Sequence, residues 1–103
     1  MPGEVTIGLP ELADEQIMAV IEAGEEAAKR YVLSKLPAKK VYDIGICIQV
    51  EGNKPLTVTV DVELRVASSA KVDPDELARG AAKKAMEAIE AKLREFALAS
   101  YGT

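Results

Sequence analysis

The sequence predicts an α+β fold, a two-layer α-β-β-α arrangement in which an antiparallel β-hairpin carries two antiparallel helices on one face. Two unbroken alternations and one helix-start motif predict it. From Tyr42 to Val50 the even positions read Tyr42, Ile44, Ile46, Ile48 and Val50; from Leu56 to Val66 they read Leu56, Val58, Val60, Val62, Leu64 and Val66. The odd positions are Asp43, Gly45, Cys47, Gln49 and Glu51, then Thr57, Thr59, Asp61, Glu63 and Arg65. Strand side chains alternate between faces, so each stretch makes a strand with one apolar and one polar face. The third observation is Asp73-Pro74-Asp75-Glu76. Asp73 suits the N-cap, Pro74 the first helical position, and Glu76 the reciprocal place in a capping box.

The chain reads as a single domain over residues 1–103. Residues 1–12, with Pro2, Gly3, Gly8 and Pro10, read as an N-terminal tail. Val5, Ile7 and Leu9 alternate there, which leaves a short strand or a packed arm as the other outcome. A helix is expected over 14–36, where Ile17, Val20, Ile21, Gly24, Ala27, Ala28, Tyr31 and Leu36 recur mostly at three- and four-residue steps. Asp14 and Glu15 suit the positive end of its dipole, and Lys29, Arg30 and Lys35 the negative end. Ala13 is a poor N-cap, so Asp14 is expected to take that role. Pro37 ends the helix by pushing Leu36 out of the α region.

Strands follow over 41–51 and 56–66, joined by Gly52-Asn53-Lys54-Pro55. If both strands turn even residues inward without a bulge, opposed residue numbers sum to an even value and the loop is odd in length. The last helix is expected over 74–99, burying Leu77, Ala78, Ala81, Ala85, Ala88, Ile89, Leu93 and Phe96. Glu90 and Arg94 are spaced as an i,i+4 pair on its outer face. An eleven-residue strand spans about 36 Å at ~3.3 Å per residue. The first helix spans about 34 Å at ~1.5 Å per residue, so the layers match in length. Gly24, Ala27 and Ala28, facing Ala78, Ala81 and Ala85, are small enough for close approach of the helices.

Several chemistries are disfavoured. The formal net charge is −4, whereas non-specific nucleic-acid binding wants a positive field. Aromatic residues are 4% of the chain, too few for a base-stacking platform. Histidine is absent, which removes the commonest general base and metal ligand. Cys47 is the lone cysteine, so no internal disulfide forms and a reducing compartment fits. The start lacks a basic segment followed by an apolar run, and no charge-free window approaches about 18 residues, so neither a secretory signal nor a membrane span is expected. A cytoplasmic location is the expectation. One Asn and two Gln among many Lys and Glu fit a heat-adapted source.

The expected function is a non-enzymatic protein-interaction or oligomerisation module. A two-stranded sheet leaves its long edges and polar face open, and an open edge is a template for another strand. The candidate interface is Gln49, Thr57, Thr59, Asp61 and Glu63, and the partner a second copy or another protein. The alternative is a nucleic-acid contact through Lys29, Arg30, Lys35, Lys39 and Lys40, although cations favour a helix C-terminus without any ligand. Neither cofactor nor metal is expected: Cys47 has no histidine to activate it, and a helix cap accounts for the Asp73–Glu76 acids.

Three segments carry a family resemblance: Glu25 to Lys35, the strand Leu56 to Leu64, and Asp73 through Leu77, with Gly8-Leu9-Pro10 ahead of the first helix. Together they resemble a small archaeal family of helix–hairpin–helix proteins, domain-of-unknown-function family 3194. The likeness implies an α+β fold with two helices on a hairpin, an archaeal cytoplasmic source and no established activity. Through gene neighbourhood with the prefoldin beta subunit it also implies a chaperone-related association. It supplies no catalytic residues.

Overall fold

The computed structural model describes residues 2–7, 12–51 and 56–101. The elements are β1 (Pro2–Ile7), α1 (Asp14–Lys35), β2 (Val41–Glu51), β3 (Leu56–Val66) and α2 (Pro74–Tyr101). Short 3-10 turns at Ala38–Lys40 and Ser68–Ala70 join helix to strand at one end of the sheet. The fold class is the expected one, with two helices packed against an antiparallel hairpin. Both hairpin strands keep the expected limits, and the residues between them, 52–55, lie outside the described part.

The tail reading of the first residues needs correcting, because Pro2–Ile7 form a strand. It pairs antiparallel with β3, from Pro2 opposite Asp61 to Ile7 opposite Leu56, and the sheet order is β1-β3-β2. Hairpin formation leaves the second side of β3 with backbone groups to satisfy, and that demand outweighs the weak strand preference of Pro2 and Gly3. Proline is tolerated at the first position of an edge strand.

In the hairpin Ile44 opposes Leu64, Ile46 opposes Val62 and Ile48 opposes Val60, the even sum that the alternation requires. One expected inward residue does not follow. The register slips between Val41 and Asp43, and Tyr42 is 67% exposed. A one-residue bulge resets the side-chain parity, which alternation cannot reveal when apolar residues flank it.

Helix α1 starts one residue earlier in role than expected. Ala13, not Asp14, is the N-cap, with extended backbone at φ −71, ψ 156 and no side-chain cap. Its N–H donates to Gln16 Oε1 at 2.9 Å, which is half of a capping box. The helix ends at Lys35, and Leu36 is extended (φ −136, ψ 145), as Pro37 requires. At α2, Asp73 Oδ1 accepts from the N–H groups of Asp75 (3.0 Å) and Glu76 (3.5 Å).

The core lies between the layers. Val58, Val60 and Val62 of the central strand are fully buried, against Val20, Ala28 and Val32 of α1 and Ala81, Ala85, Ile89 and Leu93 of α2. The helices run antiparallel: a Cβ on Gly24 would lie 2.8 Å from Cδ1 of both Ile48 and Ile89, and one on Gly80 would lie 2.6 Å from ring atoms of Tyr31. Helix α1 rests mainly on β2, and α2 on β3 and β1. The inward residues of β2, Ile44, Ile46, Ile48 and Val50, are therefore only half-buried. The molecule is long, 52 × 20 × 17 Å, with a radius of gyration of 14.9 Å. A chain of about 100 residues ordinarily gives ~13 Å.

Candidate interaction surface

The odd residues of the hairpin form a polar face opposite the helices. Cys47 opposes Asp61, Gln49 opposes Thr59, and Glu51 opposes Thr57. A hollow of about 380 Å³ on this face is lined by Cys47, Gln49, Thr59 and Asp61. The structure thus brings together three of the five candidate interface residues, Gln49, Thr59 and Asp61. Thr57 lies two residues along β3 from Thr59, and Glu63 is exposed farther along, opposite Gly45. Asp61 is itself engaged in an interaction. A nucleophilic cysteine needs a base and a positive surround. Among the described residues, the lining of this hollow holds a thiol, a hydroxyl, an amide and a carboxylate, and no cation. Among the described residues, no group of three or more His, Cys, Asp or Glu could hold a metal ion.

The basic residues are close in sequence but do not share a surface. At 100° per residue, Lys29, Arg30 and Lys35 leave α1 in three different directions. Arg30 pairs with Glu26, Lys35 Nζ stands 5.6 Å from the Tyr31 ring centroid, and Lys40 Nζ donates to the Ser69 carbonyl at 3.3 Å. Lys39 is exposed. A second hollow, about 360 Å³, lies between the helices and is lined by Ala27, Arg30, Tyr31, Ser34 and Lys84. Its two cations already face carboxylates, Lys84 lying 3.3 Å from Glu87.

The edges of the sheet matter more than either hollow. β1 covers β3 from Leu56 to Asp61 and leaves its own six-residue outer side as the shorter edge of the sheet, so of the two open hairpin edges expected one long one remains. That edge is β2, which has a strand on one side only among the described residues. Residues 41–51 contain no Pro, Lys or Arg, the usual guards of an exposed edge. The bulge at Tyr42 twists one end, and nine residues from Asp43 to Glu51 continue in regular register. The sequence hinted at this through the missing guards, but it did not reveal which edge the N-terminal strand would close.

A family model described as a protein of unknown function (DUF3194) matches residues 9–92. The chain belongs to this family. An uncharacterised protein of Thermococcus kodakarensis is 38% identical over 93 residues, covering 90% of this chain and 86% of the relative. One from Pyrococcus furiosus is 33% identical over 90 residues, covering 87% of this chain and 81% of its own length. A crystal structure from Thermococcus onnurineus superposes with a TM-score of 0.72 at 35% identity, covering 94% of this chain and 96% of the other. The solution structure of a hypothetical protein from Methanothermobacter thermautotrophicus gives 0.72 at 24% identity, over 85% of this chain and 96% of the other, and speaks for the fold alone. These relatives are archaeal, and none carries an activity in its description. No described helix is long and apolar enough to cross a membrane.

Proposed function

We propose that this protein is a non-enzymatic interaction module of the cytoplasm that takes up its partner by strand addition on the free edge of β2. One observation carries the reading. β2 offers a nine-residue regular edge, Asp43 to Glu51, that contains no Pro, Lys or Arg and is guarded only by the bulge at Tyr42 and the acids at its two ends, while β1 pairs with β3 from Leu56 to Asp61 on the other side of the sheet. An added strand gains main-chain hydrogen bonds along the edge and extends an apolar face that is only half-buried at Ile44, Ile46, Ile48 and Val50.

Proline substitution tests it, because successive residues of a strand aim their N–H groups at opposite neighbours. Of Ile46→Pro and Cys47→Pro, one removes an N–H that faces β3 and the other removes one that faces the open edge. The expected outcome is one variant with clearly lowered thermal stability and one that melts near wild type but no longer retains binding partners. If the well-folded variant retains the same proteins as wild type, the edge is not the docking surface.

A further inference from the structure

The position of α1 decides what kind of strand β2 can accept. Helix α1 is seated over β2, with Gly24 against Ile48, while α2 lies over β3 and β1. A second copy pairing antiparallel through β2 would be related by a twofold axis perpendicular to the sheet. Both helix layers would then fall on the same side. Paired strands lie about 4.8 Å apart, whereas packed helix axes need ~8–10 Å. Two α1 helices, each seated over its own β2, would collide. The edge therefore admits an extended segment that carries no helix above it.

The chemistry of the margin defines that segment further. Ala27, Tyr31 and Ser34 turn toward α2, where they line the groove with Lys84. Asp14, Met18, Ile21 and Glu25 recur at four-, three- and four-residue steps on the flank of α1 turned away from α2, above the outer side of β2. Met18 is 56% exposed, which leaves apolar cover for a fourth strand. The charges at this margin are mainly acidic: Asp14 and Glu25 above, with Lys29 one turn after Glu25, and exposed Asp43 and Glu51 on the polar face of β2, eight residues apart, Asp43 having Arg65 of β3 opposite it on its inner side. β2 itself contributes no cation. Resting on the strand-addition reading above, we infer that the partner is an extended segment of another protein, alternately apolar and polar, with basic residues at both ends opposite Asp43 and Glu51.

The probe is the nonapeptide Lys-Val-Thr-Val-Thr-Val-Thr-Val-Lys, compared with its Glu-ended counterpart by amide chemical-shift titration of the full chain. The expected result is perturbation along 43–51 and the facing flank of α1, with about ten-fold tighter binding of the Lys-ended peptide that fades at about 0.5 M salt. The double variant Asp43→Asn/Glu51→Gln, at exposed positions, is expected to bind both peptides equally. Binding on β2 without a charge preference would overturn the basic partner and leave strand addition standing. No perturbation of β2 by either peptide would overturn the inference, and strand addition would then stand or fall by the proline pair. Concentration-dependent exchange protection of β2 amides without peptide would overturn it in favour of a second copy.

Discussion

At Gly80 the approach of the two helices depends on a single missing atom. Gly80 lies against the outer end of the Tyr31 ring: a Cβ there would meet the phenol hydroxyl first and the ring carbons Cε1 and Cζ at 2.6 Å, a distance that real Cβ contacts do not reach. An aromatic ring yields less than the end of an aliphatic chain, so the ring or the helix would have to move. Overpacking of this kind costs about 1–3 kcal/mol, and replacing glycine in a helix interior returns about 1 kcal/mol. Gly80→Ala is therefore expected to destabilise the protein by up to about 2 kcal/mol in denaturant unfolding. In a Tyr31→Ala background the obstruction is gone, and the same substitution is expected to stabilise by up to about 1 kcal/mol. A cycle with no change of sign would show that the ring does not set the helix separation. Gly24 differs in kind, because a Cβ there meets the Cδ1 ends of Ile48 and Ile89, which can swing away.

Among the elements, the two helix starts form a natural contrast. Asp73 satisfies two orphan N–H groups of α2, while Ala13 offers α1 nothing from its side chain. Asp73→Ala is expected to cost about 1 kcal/mol, and Ala13→Ser to gain about 0.5–1 kcal/mol, since Ala13 already has the extended backbone a cap requires. Thermal melts of both variants check the pair, and an Ala13→Ser variant no more stable than wild type would mean that Gln16 alone suffices. Asp73 was legible because its side chain carries the cap, and both hairpin strands were legible because alternation is a local property. Tyr42 was not, since one inserted residue shifts parity without changing the apolar pattern. The helix pair Glu90–Arg94 was legible from spacing, but at 3.8 Å on an exposed face it contributes little. The candidate surface was legible only in part. The sequence showed which residues share the polar face, but the surviving edge depends on where the N-terminal strand docks and on which strand α1 covers. Both are tertiary facts.

At the scale of the whole molecule, the three-stranded order makes β3 the spine of the protein. It carries the fully buried Val58, Val60 and Val62 and is paired on both sides, by β2 along nearly its full length and by β1 from Leu56 to Asp61. The two sheet edges are accordingly not equivalent. The β2 edge lies under α1, which bars antiparallel pairing with another folded copy; the other edge is β1, whose six residues alone cover that side of β3. Deleting residues 1–7 would open that side of the spine and leave Thr57 to Asp61 without their second partners. Helix α2, seated over β3 and β1, would lose part of its support from the sheet as well. The truncated chain is therefore expected to melt at lower temperature and to associate as its concentration rises in static light scattering, in contrast to the full chain. Glu4, which stands opposite Thr59, provides a control: Glu4→Thr keeps the strand and is expected to match the full chain in both measurements. A truncated protein as stable and as dispersed as the full one would mean that β1 contributes nothing to closing the sheet, and that β3 is protected by other means.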